Sequence, residues 1–453
     1  MDTNSLTVAS ALELLQGGKL TPPALAEACL AQIERLNPRL NAFITITRTL
    51  ALSAQPSAGS LAGIPIAVKD LFETAGIRTT AGSKFFEDYV PREDAFVLRK
   101  LKAAGAVVIG KTNTHEIALG VTTNNPHFGT CRNPWDPEHI PGGSSGGSAV
   151  AVATGMALAA LGTDTGGSIR IPAALCGVVG LKPTRGRVSL RGVIPLSWNL
   201  DHAGPITKTV GDAALMLQVM AGYDPENPGC VDAPVQDYLA RLEEGIGGWR
   251  IALAAGEYIE DCDAQVLTAV QGAAGLFESA GAIVESVDMD WLRAAAQANG
   301  VMTPADAAAF HRERLAAHPD WFGADVRQRL ETGRAFTSTE YALARRTQSE
   351  TRRRFDALFA RYDILLLPAT PIPAPLIEGN DAVEQARRLT RFTAPFNLAG
   401  LPALSIPCGF SDGGLPIGSQ LAARAWNEAG LLRAARAYER QVDWGARRPL
   451  LGQ

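Results

Sequence analysis

Cysteine and histidine are scarce in this chain, which has six of each among its 453 residues. The cysteines lack the paired spacing of a disulfide framework or a zinc site; they are Cys29, Cys131, Cys176, Cys230, Cys262 and Cys408. The histidines do not cluster, and His115 has no second histidine four residues further on. The sequence therefore predicts reduced thiols, no bound metal and a cytoplasmic location.

Long apolar segments are also missing. The longest apolar run, residues 149–161, is too short and too rich in alanine to span a bilayer. The chain starts with Met1 and Asp2 and has no basic segment followed by an apolar one, so no signal peptide is visible. We expect a soluble protein without a membrane partner.

Neither sign of charge is in large excess. The net charge is −4 and the isoelectric point is near 6.0, which gives no electrostatic reason for nucleic-acid binding. The one basic run, residues 345–354, contains Glu350 and is followed by Asp356. This pattern is more typical of a solvated helix face. No nucleic-acid partner is predicted.

The chain does contain enough apolar sequence for a large core. Hydrophobic residues make up 46% of it, and 45 glycines and 28 prolines supply turns. Residues 64–70 form a β-branched run, residues 94–104 have a helical pattern, and residues 106–111 resemble a buried strand. A strand, a helix and a strand at this spacing are typical of a parallel α/β sheet.

The whole chain is expected to form one α/β unit, residues 1–453. Its parts are a helical N-terminal segment at 5–55, a core at 61–225 and a second helical region at 285–345. A candidate break lies at 224–229, which contains two prolines and a glycine. Further strands are expected at 178–181, 249–253, 364–368 and 403–407.

Two glycine-rich loops that carry serine are the best clue to chemistry. The first, GGSSGGS, covers residues 142–148, and the second, GTDTGGSIR, covers residues 162–170. The small apolar residues 149–161 between them predict one connecting helix. Such turns expose backbone N–H groups, which can stabilise a developing oxyanion.

Several common sites fit these loops poorly. The first loop matches G-x-S-x-G, but residues 133–141 before it contain three prolines and cannot be the strand that a nucleophile elbow requires. A phosphate-binding loop would need a lysine after the glycines, and none follows. Ser168 needs a base to act as a nucleophile, and no histidine is near. Lys69 is a candidate base, although the residues alone favour a surface charge at a strand end.

The segment 142–184 closely resembles the amidase signature family. Other matching motifs are GIPIAVKD at 63–70, GKTN at 110–113, RNPW at 132–135, DHAGP at 201–205 and PFNLAGLP at 395–402. The resemblance covers nearly the whole chain and is weakest at 225–345. It implies an α/β fold with a single large mixed, mostly parallel twisted sheet covered by helices on both faces.

The resemblance also implies a Ser-Ser-Lys triad. Ser168 is the nucleophile, Ser144 relays protons after a cis peptide bond from Gly143, and Lys69 is the base. The N–H groups of four consecutive residues form the oxyanion hole; these are Thr165, Gly166, Gly167 and Ser168. The supporting residues are Ser145 and Thr163, and the residues on the acyl side of the substrate are Ala118, Leu119 and Gly120. Asp164 and Arg170 are expected to support the turn rather than react.

The expected activity is hydrolysis of a linear carboxamide or related C–N bond through a Ser168 acyl-enzyme. The substrate would be a small amide, anilide, urea or carbamate, without metal or organic cofactor, and a homodimer is left open. The alternative is the amidase subunit of a glutamine-dependent aminoacyl-tRNA amidotransferase. That subunit commonly has Met-Asp-Glu-Phe after Lys-Thr-Asn, whereas this chain has Thr114, His115, Glu116 and Ile117.

Overall fold

A computed structural model describes residues 1–54, 58–379 and 381–449. Residue 55, the last of the predicted helical segment 5–55, lies outside the described residues, as do positions 450–453 of the predicted unit 1–453. No helix within the described ranges is long and apolar enough to cross a bilayer.

Thirteen strands are present among the described residues. They are β1 Phe43–Ile46, β2 Pro65–Lys69, β3 Val107–Thr112, β4 Asn124–Asn125, β5 Gly129–Thr130, β6 Ala159–Asp164, β7 Val179–Lys182, β8 His202–Thr207, β9 Arg250–Ala255, β10 Ile283–Asp288, β11 Ile364–Pro368, β12 Ala403–Phe410 and β13 Pro416–Ala422.

The same ranges contain sixteen α-helices. They are α1 Val8–Gln16, α2 Pro22–Leu40, α3 Arg48–Leu52, α4 Phe96–Ala103, α5 Gly146–Ala153, α6 Arg170–Cys176, α7 Val210–Met220, α8 Glu257–Glu260, α9 Ala264–Ser279, α10 Leu292–Phe310, α11 Arg312–Ala317, α12 Ala324–Ala335, α13 Ser338–Phe359, α14 Ala382–Thr390, α15 Ala394–Ala399 and α16 Glu428–Glu439. Short 3-10 turns occur at Lys84–Phe86, Glu116–Ala118, Pro319–Trp321 and Trp444–Ala446.

Eleven of these strands form one sheet, in the order β1-β3-β2-β6-β8-β7-β12-β13-β11-β9-β10. Parallel pairs lie towards both ends, where β2 pairs with β3 and β6, and β9 pairs with β10 and β11. The other pairs in this sheet are antiparallel. The predicted mixed α/β fold is confirmed, with a larger antiparallel share than expected. One of these pairs follows from the short turn between β12 and β13, which can join only antiparallel neighbours.

Helices cover both faces of the sheet, because successive strand side chains point in opposite directions. Ile66 and Val68 of β2 pack in a core cluster with α4 and α7, whereas Ala67 between them packs in another with α2 and α5. A third cluster joins β11 to α13 and α15. The buried strands account for the apolar runs in the sequence.

The single helix predicted over 149–161 is wrong. The helix α5 ends at Ala153, and residues 159–164 form β6 in the interior of the sheet. Gly155 has a φ of +71°, a left-handed conformation that stops the helix. Small apolar residues suit a buried helix and a buried strand equally, so periodicity could not separate the two.

Two predicted helical regions also contain strands. The segment 5–55 includes β1, which pairs with β3 at one edge of the sheet, and the region 285–345 begins inside β10 at the other edge. The sheet continues across the candidate break at 224–229, since β7 before it pairs with β12 after it. Edge strands are half-exposed and lack the long apolar runs that identify central strands.

The register of β2 and β6 places the chemical groups together. These strands are parallel neighbours with Val68 opposite Leu161, so Lys69 at the end of β2 lies beside the end of β6. The carboxyl ends of parallel strands are where α/β proteins commonly place their sites. Both glycine loops lie at this edge, before α5 and after β6.

An ion pair next to this edge connects β3 to the turn after β2. Lys111 Nζ lies 3.2 Å from Asp70 Oδ1, with both side chains fully buried, and it donates to the Phe72 carbonyl at 2.7 Å. Removal of one partner leaves a buried charge uncompensated. We expect Lys111→Met to lower the free energy of unfolding by about 3–5 kcal/mol, measured by urea unfolding. The double variant Lys111→Met with Asp70→Asn should lose less stability than Lys111→Met alone. Equal losses in the single and double variants would contradict this account.

Candidate active site

Lys69 is the buried centre of the site. Its Nζ lies 2.7 Å from Ser144 Oγ and 2.7 Å from Thr163 Oγ1, and its side chain is inaccessible to solvent. The alternative of a surface charge at a strand end is therefore wrong. A neutral amine in this position can donate to Thr163 and accept the proton of Ser144.

Burial lowers the pKa of Lys69 to about 7, against the charges of Asp164 and Asp201, which raise it. An ordinary lysine is almost fully protonated at neutral pH. Here a large fraction is neutral near pH 7, which is the form that a general base requires.

Ser144 and Ser145 connect the two glycine loops. The peptide bond from Gly143 to Ser144 is cis, as the resemblance implies. The Ser144 carbonyl accepts a hydrogen bond from Thr114 Oγ1 at 2.9 Å, and the Ser145 N–H donates to the Ser168 carbonyl at 3.1 Å. These bonds hold the Lys69–Ser144 pair beside the second loop.

Ser168 lies in the turn between β6 and α6. The preceding Gly167 has a φ of +140°, and a Cβ there would lie 2.2 Å from Thr393 Oγ1, so only glycine fits. Ser168 is 5% exposed, whereas Lys69 and Ser144 are fully buried. Ser168 is thus the member of the predicted triad that retains solvent contact.

The carbonyl groups of the loop before Ser168 are all anchored. Asn299 Nδ2 donates to the Thr165 carbonyl at 3.1 Å, Thr393 Oγ1 to that of Gly166 at 2.6 Å, and the Ile171 N–H to that of Gly167 at 2.7 Å. The N–H groups of residues 165–168 donate to no other residue in the described parts of the chain. Fixed N–H groups without acceptors are what an oxyanion hole requires.

Asp164 and Arg170 support the loop from behind. The Arg170 guanidinium binds both Asp164 oxygens at 2.8 and 3.0 Å, and Asn397 Nδ2 donates to Asp164 Oδ1 at 2.8 Å. Burial opposes ionisation of Asp164, but Arg170 outweighs it and lowers the pKa of this carboxyl. The two residues form a structural pair, as expected from the sequence.

The predicted supporting residues also lie against this centre. Ser145 Oγ donates to the Thr163 carbonyl at 3.2 Å, and Thr163 Oγ1 contacts Lys69 directly. Ser145 therefore links the first loop to the end of β6, and Thr163 fixes the orientation of the lysine amine.

Comparison with known proteins identifies the family. The family model "Amidase" matches residues 24–432. The chain belongs to the amidase signature family. It is thus an enzyme of a family that cleaves carbon–nitrogen bonds.

Relatives match along their full length. The A subunit of glutamyl-tRNA(Gln) amidotransferase from Carboxydothermus hydrogenoformans is 38% identical, with 100% of both chains covered. The corresponding protein from a Roseiflexus species is 40% identical, with 98% of both chains covered.

Solved structures agree closely. An inhibitor-bound chain from a vestigial complex, reported with the evolutionary origins of an s-triazine catabolic enzyme, has a TM-score of 0.92, 35% identity and coverage of 99% of this chain and 100% of that one. The A subunit of glutamyl-tRNA(Gln) amidotransferase from Thermotoga maritima has a TM-score of 0.87, 37% identity and coverage of 98% and 97%. A 6-aminohexanoate cyclic dimer hydrolase has a TM-score of 0.90, 30% identity and 99% coverage of both chains.

The predicted substrate residues of this amidase signature enzyme lie in a strained buried loop. Ala118 has a φ of +61°, and a Cβ on Gly120 would lie 2.2 Å from the His115 ring. Ala118 and Leu119 pack against α10 and α12 in an apolar cluster. Arg329 of α12 donates to the Leu119 carbonyl at 2.8 Å. The 285–345 region thus contacts the loop predicted to hold the acyl group.

The sequence did not reveal every residue that shapes the site. Asp201 and Asn397 lie within motifs that the resemblance covers, but those motifs assigned them no role. Asn299, Arg329 and Thr393 come from α10, α12 and the start of α15, and no local pattern marks them. Only the distances between distant segments identify them.

Proposed function

We propose that this enzyme hydrolyses a carboxamide C–N bond through an acyl-enzyme on Ser168. The observation that carries the proposal is the buried Lys69 amine, 2.7 Å from Ser144 Oγ, beside a loop of unpaired N–H groups. A base and an oxyanion hole at one serine-bearing turn are the requirements of acyl transfer.

The proton path follows from this arrangement. Neutral Lys69 takes the proton of Ser144, and Ser144 takes that of Ser168, whose Oγ bonds to the carbonyl carbon. The resulting oxyanion is stabilised by the N–H groups of residues 165–168. Collapse breaks the C–N bond, and the proton returns from Lys69 through Ser144 to the leaving nitrogen. Water then attacks the ester by the same route, releasing the acid and restoring Ser168.

The relatives favour glutamine as the amide. The two amidotransferase proteins match this chain end to end at 38% and 40% identity. On this proposal Ser168 releases ammonia from glutamine, and a partner protein uses it on an aminoacyl-tRNA. The amidotransferase subunit, given above as the alternative, becomes the first candidate, and this replaces the expectation that the chain has no nucleic-acid partner. The cytoplasm remains the expected compartment.

A free-standing amidohydrolase is the second candidate. The segment after Lys-Thr-Asn departs from the common amidotransferase sequence, and its His115 is bound to Asp325 and Thr122 at 3.0 and 3.2 Å. The alignment with the first relative spans 486 positions, more than the 453 residues of this chain, which therefore lacks some of that relative's sequence. The similarity to a 6-aminohexanoate cyclic dimer hydrolase, with 99% of both chains covered, also supports this candidate.

Arg329 offers a way to separate charged from neutral substrates. The residue is 9% exposed, donates to the carbonyls of Leu119 and Ala382, and has no acceptor for its Nε in the described ranges. Asp325, its nearest carboxylate, is 3.8 Å away. A buried guanidinium beside the acyl loop, whose Nε has no acceptor among the described residues, suits a substrate that carries a carboxylate.

We expect Arg329→Met to raise KM for glutamine about 10–100-fold, the value of one charge-assisted hydrogen bond. KM for the neutral amides propionamide and acetanilide should change less than about three-fold. Ammonia or aniline release by the purified chain, with and without the other proteins of an amidotransferase complex, measures this. An equal rise in KM for all three amides would mean that Arg329 only supports the loop and does not bind a substrate carboxylate. Hydrolysis of the neutral amides but never of glutamine would favour the free-standing hydrolase.

A further inference from the structure

Asp201 is a buried carboxylate outside the predicted triad and without a role so far. Its Oδ2 accepts hydrogen bonds from the N–H groups of Leu196 at 2.9 Å and Ser197 at 3.1 Å. Its Oδ1 accepts one from Thr165 Oγ1 at 2.5 Å. The same carboxylate therefore fixes a turn on one side and the first residue of the oxyanion loop on the other.

We propose that Asp201 is a positioning residue that couples the oxyanion loop to the base, holding Thr165 in place and stabilising the protonated form of Lys69 by its charge. The inference rests on the proposed Ser168, Ser144 and Lys69 mechanism, and it adds a residue that the triad does not include.

The pairing of β6 with β8 explains how Asp201 positions Thr165. Strands β6 and β8 are antiparallel with Asp164 opposite His202, so Thr165 and Asp201, one residue beyond each, face one another across the strand ends. Thr165 is then held at its hydroxyl by Asp201 and at its carbonyl by Asn299. Because the Thr165 carbonyl shares its peptide plane with the Gly166 N–H, these contacts fix the orientation of that oxyanion donor.

The effect of Asp201 on the protonation of Lys69 depends on which other charges lie near the Lys69 amine. Asp164 and Asp201 are the two carboxylates that favour its protonated form, and Asp164 is already neutralised by its bidentate contact with Arg170. Asp201 has no ion pair in the described chain. Besides Lys69, Arg185 is a cation close enough for its pKa to be raised by the Asp201 charge. Burial raises the pKa of Asp201 to about 6, although Thr165, the two N–H groups and Lys69 lower it. Asp201 is thus mostly ionised at pH 7, where Lys69 titrates.

The test uses a reagent that does not require the natural substrate. A fluorophosphonate forms an O–P bond with Ser168 and loses fluoride, while the serine proton passes through Ser144 to Lys69. The rate of this labelling, followed by intact mass between pH 5 and 9, should rise through about pH 7 in the wild type because neutral Lys69 is the active form.

Two substitutions separate the two halves. Asp201→Asn keeps the shape and can still bind both N–H groups and the Thr165 hydroxyl, but it removes the charge. We expect the pH midpoint of the labelling rate in Asp201→Asn to lie about 0.5–1 pH unit below that of the wild type. Thr165→Val keeps the charge and removes the hydroxyl. The pH midpoint of labelling in Thr165→Val should equal that of the wild type, while the labelling rate at high pH falls about ten-fold. Thr165→Ser should restore that rate.

Asp306→Asn is the matched control. Asp306 is as buried as Asp201 and binds the same turn through Ser197 Oγ at 2.5 Å, but it has no contact with the oxyanion loop. Its labelling profile should match the wild type. An unchanged midpoint in Asp201→Asn, an equal shift in Asp306→Asn, or an unchanged plateau in Thr165→Val would overturn the proposal.

Failure of the underlying mechanism gives a different result. In that case the wild type and Ser168→Ala would label equally slowly, whatever residue stands at 201. Thermal unfolding of each variant shows whether it is folded. If Asp201→Asn does not fold, the Thr165→Val and Thr165→Ser pair still tests the positioning half.

Discussion

Replacement of Ser168 by alanine is expected to lower kcat/KM for amide hydrolysis by at least about 10⁴-fold. Without the hydroxyl no acyl-enzyme forms, and the oxyanion loop alone can only assist direct attack by water. Ser168 is nearly buried and its loop is fixed through the carbonyls of residues 165–167, so the substitution should leave the fold intact. Steady-state ammonia release and thermal unfolding measure the two effects.

Ser148→Ala is the appropriate control for this experiment. Ser148 is another buried serine of the first loop region, but among the described residues its Oγ forms hydrogen bonds only with Thr112 Oγ1 and the Leu161 carbonyl, at 2.7 and 2.9 Å. Its kcat/KM should stay within about three-fold of the wild type. Comparable activity in Ser168→Ala would remove Ser168 from the role of nucleophile.

Lys69→Met is expected to lower kcat by about 10²–10⁴-fold, the usual contribution of a general base. Methionine has a similar volume and no amine, so Ser144 loses its proton acceptor while the core stays filled. Because burial lowers the pKa of Lys69 to about 7, wild-type kcat/KM should increase as the pH rises through that value. The residual activity of the variant should lack this dependence, which a pH profile of kcat/KM shows.

Lys208→Met tests whether another lysine causes that pH dependence. Burial lowers the pKa of Lys208 to about 8, but its amine binds the carbonyls of Thr3, Asn4 and Leu6, away from both glycine loops. This variant should keep both the rate and the rise near pH 7. If the rise disappears in Lys208→Met and persists in Lys69→Met, Lys69 is not the base.

The sequence predicted the core of the fold well where signals were local. The β-branched run of β2, the helix α4 and the strand β3 follow from apolar periodicity and short turns, and their parallel pairing follows from their spacing. The edge strands β1 and β10 and the central strand β6 could not be predicted in the same way. Edge strands are partly polar, and alanine-rich β6 has no periodicity that distinguishes it from a helix.

For the site, the sequence by itself determined the chemical groups. The two glycine-rich loops, their serines and the lysine motif are continuous segments, and their resemblance to the amidase signature family proposes a role for each. Glycine at 167 also permits the φ of +140° of that turn, which other residues rarely adopt.

Only the tertiary structure decided the state of those groups. Whether Lys69 is a surface charge or a base depends on its burial and on the charges of Asp164 and Asp201, which come from β6 and from the residue before β8. The anchors of the oxyanion loop, Asn299 and Thr393, lie more than a hundred residues further along the chain. A pKa and the direction of an N–H group depend on distances in space, and these are fixed only when the sheet brings the segments together.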